Sequence, residues 1–209
     1  MTDQCRPERT ERRRSRRRIL RDVVVGALTL GGAVETAKLV AAPAAAEARA
    51  QAGAADVKIL NFLLSLEQLQ ATFFDRIGRD GRFSAEIRQF AKTTAKQDKA
   101  HADALRSMLG SAAAPTSGHV QANPKDDAGF VHDALALKEA VVAAYIGEAA
   151  NLRGDRITPV ATIVSVEARH AAWIRSIADV IPAPRAADRS QTPVSVVRKL
   201  EGSGIAKLR

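Results

Sequence analysis

The chain has 209 residues, of which 46% are hydrophobic and 26% charged, and this length suffices for one domain with its own core. The formal net charge is +9, but the first fifty residues hold 11 Lys and Arg against 6 Asp and Glu and so carry +5 of it. Only +4 remains for the rest of the chain, and aromatic residues make up 4% of the sequence, so we expect no nucleic-acid partner.

The N-terminal part, residues 1–50, has the order of an export signal. A basic run, Arg12–Arg18, precedes an apolar stretch, Val23–Val34, and an alanine-rich segment with cleavage sites comes next. Within it, Ser15–Leu20 resembles a twin-arginine signal, which directs folded cargo across a bacterial membrane. We therefore expect an exported protein, periplasmic or extracellular, with the twin-arginine machinery as a partner in transit.

An uncleaved membrane anchor is the alternative for the same segment. The apolar stretch is short for a bilayer span, and the charged residues Glu35 and Lys38 come soon after its end. The one cysteine, Cys5, precedes the arginine run, so the exported form would have no disulfide and no cysteine-based metal site. Membrane attachment is therefore expected only if the signal stays uncleaved.

Four segments after residue 56 show helical periodicity, and none alternates as a set of strands would. The predicted helices run over Val57–Ile77, Ser84–Leu109, Asp127–Leu152 and Thr158–Val180. Two short links and one long connection, residues 111–125, are what a four-helix bundle with a single crossover requires. We therefore predict an all-α fold over residues 56–181, a four-helix bundle with one long crossover between helices two and three.

The C-terminal part, residues 182–209, is polar, basic and interrupted by prolines. The run Val194–Val197 is too isolated to predict a strand. We expect this tail to pack as an irregular arm or to stay mobile.

Two of the predicted helices carry an acid three residues before a histidine. The pairs are Asp98-x-x-His101 and Glu167-x-x-His170, and Glu67 lies in the apolar stripe of the first helix. Residues i and i+3 share a helix face, so the acid and the imidazole of each pair can bind the same metal ion. We therefore predict a metal site formed by Glu67, Asp98, His101, Glu167 and His170.

The third helix offers Lys138 where a further acid would complete a two-metal site. Three carboxylates and one ammonium sum to −2, which balances one divalent ion and not two. The ammonium is also a counter-ion that could satisfy Glu67 and Glu167 without metal. A single-metal site and a metal-free network of ion pairs therefore both stay open.

Three blocks of the sequence carry a resemblance to a known family. Ile59–Glu67, Ala143–Gly147 and Val166–Trp173 are similar to the conserved blocks of the ferritin-like family, in its secreted or desiccation-related type. The resemblance extends over about residues 56–181, and Val166-Glu167-Ala168-Arg169-His170 is its most specific part. It implies the same four-helix bundle.

The family pattern implies a two-metal centre with one acid from helix one, an acid-x-x-His pair from helix two, one acid from helix three and an acid-x-x-His pair from helix four. The matching positions are Glu67, Asp98, His101, Glu167 and His170, with iron or manganese as the implied metal. The acid of helix three falls on Lys138, and the neighbouring Glu139 lies about 100° round the helix. The tyrosine that often comes seven residues after the first acid is Phe74, and Tyr145 is either a packing residue or a hydrogen-bond donor to a carboxylate of the site.

These features predict an exported ferritin-like protein with a degenerate metal site that binds one ion or none, in a stress-related or scaffolding role. The alternative is a di-iron or di-manganese oxidase or peroxidase acting on oxygen or peroxide, with Glu139 or a water in the place of the missing acid. A membrane-tethered interaction module is a third hypothesis, and assembly into a homo-oligomer stays open.

Overall fold

The computed structural model describes residues 34–116 and 118–208, and the side chains from residue 53 onward. The basic run Arg12–Arg18, Cys5 and the apolar stretch up to residue 33 lie outside the described residues. The compact unit that contains the bundle runs from Arg49 to Arg209. No helix in the described part of the chain is both long enough and apolar enough to cross a membrane.

Five α-helices and two short strands make up the described chain. They are α1 Val34–Arg79, α2 Ala85–Leu109, β1 Gly118–Val120, α3 Asp127–Ala149, α4 Ile157–Ile177, α5 Pro193–Gly202 and β2 Ala206–Leu208. The four long helices confirm the predicted all-α four-helix bundle, with the crossover between α2 and α3. Helix α1 begins well before the predicted Val57, in a stretch whose many alanines favour the helix.

Local signals in the sequence account for the helix ends. The Ser84 hydroxyl accepts a hydrogen bond from Ile87 N at the start of α2, and Gly110 ends this helix with φ +56°. Asp126 does the same for α3, since its carboxylate accepts from Gly129 N at 2.8 Å. These caps fix where the two helices on either side of the crossover end and begin.

One end of the bundle is filled by phenylalanines. Phe73, Phe74, Phe90 and Phe130 are fully buried, with ring centroids 5.0–6.1 Å apart in mostly edge-to-face pairs. They come from α1, α2 and α3, so this cluster holds the three helices together next to the polar centre of the bundle.

The crossover is tied to the bundle by Asn61 on α1. Its side-chain amide donates to Ala112 O at 2.9 Å, and its carbonyl oxygen accepts from Ala114 N at 2.7 Å. Farther along, β1 pairs antiparallel with β2, and His119 faces Lys207 in the register. The long connection is therefore held at both ends by specific hydrogen bonds.

The C-terminal segment differs from the expected irregular arm. Thr192 caps α5, Pro193 occupies its first turn, and Val196 and Leu200 are fully buried. The isolated apolar run Val194–Val197 belongs to this helix, which packs against α3, and β2 then pairs with the crossover strand. A stripe at i and i+4 is enough to dock a ten-residue helix on an existing core, although too short to stand out in the sequence.

Candidate metal centre

Six ionisable side chains from the four bundle helices meet in its interior, and we refer to them together as the bundle centre. They are Glu67 on α1, Asp98 and His101 on α2, Lys138 on α3, and Glu167 and His170 on α4. The three acids and the lysine are fully buried, while the His101 and His170 side chains are 11% and 4% exposed. The structure thus brings the five predicted ligand residues together in one cluster, and the Lys138 side chain lies in the same cluster.

The Lys138 ammonium bridges two of the three carboxylates. Its Nζ lies 2.9 and 3.1 Å from the two oxygens of Asp98 and 2.9 Å from Glu167 Oε2. The ring of Phe74 lies beneath the ammonium, with its centroid 5.0 Å from Nζ. From the sequence, Glu67 and Glu167 were the expected partners of Lys138; in the structure Asp98 takes the place of Glu67.

Glu67 has different partners. The Tyr145 hydroxyl donates to its Oε1 at 2.6 Å, and Gln70 Nε2 donates to its Oε2 at 3.3 Å. Tyr145 is therefore both a buried aromatic and a hydrogen-bond donor to a carboxylate of the centre, the second of the two roles considered for it. Each carboxylate of the centre is thus oriented by at least one neutral or cationic donor.

Both imidazoles present Nδ1 to the carboxylates. His101 Nδ1 lies 3.5 Å from Glu67 Oε2 and 3.3 Å from Glu167 Oε1, and His170 Nδ1 lies 3.3 Å from the same Glu167 oxygen. Gln97 Oε1 accepts a hydrogen bond from His170 Nε2, which leaves the Nδ1 lone pair facing inward. Within the described residues, His101 Nδ1, His170 Nδ1 and Glu167 Oε1 are buried and have no hydrogen-bond partner of good geometry.

These unpartnered atoms provide a test of whether a metal ion fits. Ligand atoms from Glu67, Asp98, His101 and Glu167 lie within 4.8 Å of one another. Donors at about 2.0–2.2 Å from a tetrahedral ion are about 3.4 Å apart, and the His101 contacts of 3.3 and 3.5 Å match this spacing. The residues therefore fit one ion, bound by these four.

A second ion does not fit beside the first. The oxygens of Asp98 and Glu167 that would hold it bind the Lys138 ammonium. His170, the fifth predicted ligand, lies outside the four-residue group, with Nδ1 3.7 Å from Asp98 Oδ1 on the side of Lys138. The Lys138 ammonium thus lies where a second ion would contact the oxygens of Asp98 and Glu167.

The charges of the centre depend on one another. Burial opposes the charged form of Lys138, but the carboxylates of Asp98 and Glu167 outweigh it and raise the lysine pKa. Burial likewise opposes ionisation of Glu167, yet Lys138 and the two imidazoles hold its pKa well below the usual range. Burial lowers the pKa of His101, but the nearby carboxylates of Glu167 and Glu67 outweigh it and raise this pKa to about 9. The metal-free centre therefore holds an imidazolium there.

Glu139 does not replace the missing acid of α3. Its carboxylate points away from the centre and accepts from Arg175 on α4 at 2.8 Å. The reason is the rotation of about 100° between adjacent helix residues, which puts Glu139 on the flank that α4 covers. Glu139 is therefore held in an ion pair with Arg175 and does not serve as a ligand for a second metal ion.

Gln70 and Gln97 are parts of the site that were not identified from the sequence. Gln70 comes three residues after Glu67, so the i, i+3 spacing was available as a signal. Gln97 contacts His170 across two helices, and no spacing within one helix indicates such a contact. Both orient a residue of the centre through a hydrogen bond.

The comparison with known families agrees with this geometry. The family model of the ferritin-like domain matches residues 55–179, which is more than half of the chain and contains all six residues of the bundle centre. Among curated proteins, none matches the chain significantly. The chain therefore belongs to the ferritin-like domain family.

Proposed function

We propose that this is an exported ferritin-like protein whose bundle centre binds one transition-metal ion, with Lys138 as a permanent cation in the second metal position. The observation that carries the proposal is the position of Lys138 Nζ, within 3.1 Å of both oxygens of Asp98 and 2.9 Å from Glu167 Oε2. The resulting role is structural, stress-related or scaffolding, and not oxidation by a pair of metals.

The balance of charge favours one ion. Three carboxylates and one ammonium leave a formal −2, which a single divalent ion neutralises, whereas a second ion would leave an uncompensated charge in a fully buried place. Carboxylates with one imidazole suit iron, manganese or zinc, of which the family pattern favours the first two. A bound ion would be held by Glu67, Asp98, His101 and Glu167 and would link α1, α2 and α4.

The alternative, a di-iron or di-manganese oxidase or peroxidase, needs the Lys138 side chain to leave the centre and another ligand to take its place. Glu139 is engaged by Arg175, so a water would have to serve. The geometry gives no support to this alternative beyond the ligands that both hypotheses share.

The test is the metal stoichiometry of the full chain. We expect about one equivalent by elemental analysis after equilibration with Mn(II) or Fe(II) and removal of excess metal, and about two for Lys138→Glu, which restores the acid of helix three. Lys96→Glu makes the same charge change on the exposed side of α2 and should stay at one. Two equivalents in the wild type would overturn the role of Lys138, and none would overturn the metal site.

Export is a separate part of the proposal. It rests on the order of the basic run, the twin-arginine-like Ser15–Leu20 and the apolar stretch. In a bacterial host, Arg16→Lys with Arg17→Lys should retain the protein in the cytoplasm, and the wild type should be exported. Mass spectrometry of the exported form distinguishes a cleaved signal from a membrane anchor.

A further inference from the structure

A groove of about 350 Å³ lies between α2 and α4, directly outside the bundle centre. His101 and His170 line its inner side, and Gln97, Arg169 and Trp173 line its walls. The carboxylates of the centre are fully buried, so the two imidazoles are the parts of the centre that border this groove. The volume accommodates a ligand of about ten non-hydrogen atoms with room for water.

Three of the polar side chains that line the groove offer hydrogen-bond donors, and the first is His101. His101 Nδ1 is buried and faces the carboxylates, so the 11% exposure of the ring comes from its other edge, which carries Nε2. Only Nδ1 faces the carboxylates, where it either binds a metal ion or carries a proton. Nε2 keeps its own proton in both cases. Its N–H therefore points outward in both states of the centre.

Two further donors stand beside it. Gln97 uses its carbonyl oxygen to accept from His170, so its amide NH₂ group is free to donate into the groove. Arg169 lies at the groove wall and forms no ion pair or hydrogen bond with the described residues. No acid lines this groove, so within the described chain nothing neutralises the guanidinium there.

The remaining walls are apolar. Trp173 and Val166 line the groove, and the indole is held edge-to-face against Phe90 at 5.0 Å between centroids. A ligand that fits this surface has one anionic end for Arg169, Gln97 and His101, and a compact apolar body for the indole.

We propose that the groove between α2 and α4 binds a small organic monocarboxylate with an aliphatic or aromatic body. The carboxylate lies between the Arg169 guanidinium and the His101 Nε2–H, and the body rests on Trp173. This inference does not rest on the metal site, because the donors are the same with and without an ion at Nδ1.

Trp173 is the one tryptophan of the chain, so tryptophan fluorescence reports on ligand binding in the groove. Cyclohexanecarboxylate, which does not absorb at the excitation wavelength, is titrated into the full chain while the tryptophan emission is measured, once in chelator and once with Mn(II). We expect saturable quenching or a blue shift in both conditions. The uncharged cyclohexanecarboxamide should bind at least tenfold more weakly, because a hydrogen bond to a charged partner is worth about 1.5–3 kcal/mol.

Two variants test the assignment. Arg169→Gln should raise the dissociation constant about tenfold, and Gln97→Glu, which adds an acid to the groove but keeps an acceptor for His170, should raise it at least as much. Arg198→Gln removes a cation from the exposed side of α5 and should leave binding unchanged. Circular dichroism of each variant confirms that the helices are retained.

Equal affinities for the carboxylate and the amide, or unchanged binding in Arg169→Gln, would overturn the proposal, as would the lack of any saturable signal. Binding in Mn(II) but not in chelator would also contradict it, because the carboxylate would then be a ligand of the metal. A wild type that binds no metal but keeps the Arg169-dependent binding would refute the proposed metal function and leave this inference standing.

Discussion

Replacing Lys138 with methionine removes a positive charge from the bundle centre and keeps a side chain of similar length. The lost contacts are those at 2.9 and 3.1 Å to Asp98 and 2.9 Å to Glu167 Oε2, and all three side chains are fully buried. Removing one partner of a buried ion pair costs about 3–5 kcal/mol, because the remaining charge is left without compensation. We expect Lys138→Met to lower the free energy of unfolding by this amount in the presence of chelator.

The measurement is urea denaturation monitored by far-UV circular dichroism, with linear extrapolation to water. Lys96→Met, on the exposed side of α2, is the matched control and should change stability by less than about 0.5 kcal/mol. Added Mn(II) at a hundredfold excess over its dissociation constant should then stabilise Lys138→Met by about 2.7 kcal/mol, since an ion can replace the lost ammonium. A loss below about 1 kcal/mol in chelator would show that Lys138 does not neutralise these carboxylates.

Three further changes probe the parts that surround the centre. Tyr145→Phe should cost about 1.5–3 kcal/mol, because it removes the buried 2.6 Å hydrogen bond to Glu67; urea denaturation measures the loss. Gly147→Ala should detach the C-terminal segment, since an added Cβ would lie 2.1 Å from Gln191 O, and hydrogen exchange at the amides of that segment should become faster. Leu200→Ala, at a fully buried position of α5, should cost about 2–5 kcal/mol in the same denaturation assay.

The changes at Gly147 and Leu200 each have a control within the chain. Gly202→Ala adds a methyl group in open space and should leave the exchange rates of the C-terminal segment unchanged. Val194→Ala, at a position of α5 that is 68% exposed, should cost less than about 0.5 kcal/mol. Equal losses for Leu200→Ala and Val194→Ala would mean that α5 does not pack as described, and a Tyr145→Phe variant as stable as the wild type would mean that its hydroxyl does not bond Glu67.

The four bundle helices could be predicted because each shows helical periodicity over a long segment, although α1 begins before its predicted start. Ser84 and Gly110 mark the limits of α2, and residues 80–84 separate it from α1. The five ligand residues could be placed together because each acid-x-x-His pair shares one helix face. Local spacing was sufficient for each helix and each pair, since these depend on one helix at a time. That the pairs meet Glu67 was implied by the family resemblance.

The parts that could not be predicted depend on contacts between distant segments. Helix α5 has only Val196 and Leu200 in its buried stripe, and the strands β1 and β2 have three residues each. Whether Lys138 binds Asp98 or Glu67 depends on the rotation of α3 against its neighbours, which no periodicity expresses. The same holds for the bond between Gln97 and His170.

The pairing of β1 with β2 also has a consequence for the order of folding. His119 lies in the crossover and Lys207 follows α5, so α3, α4 and α5 must all be synthesised before this pair can form. The two helical hairpins are made of local contacts and can form early, whereas the closure that joins the crossover to the C-terminal segment comes late because its loop is long. Until β1 and β2 pair, the hydrogen-bonding edges of both strands are open, and an unpaired strand edge favours aggregation.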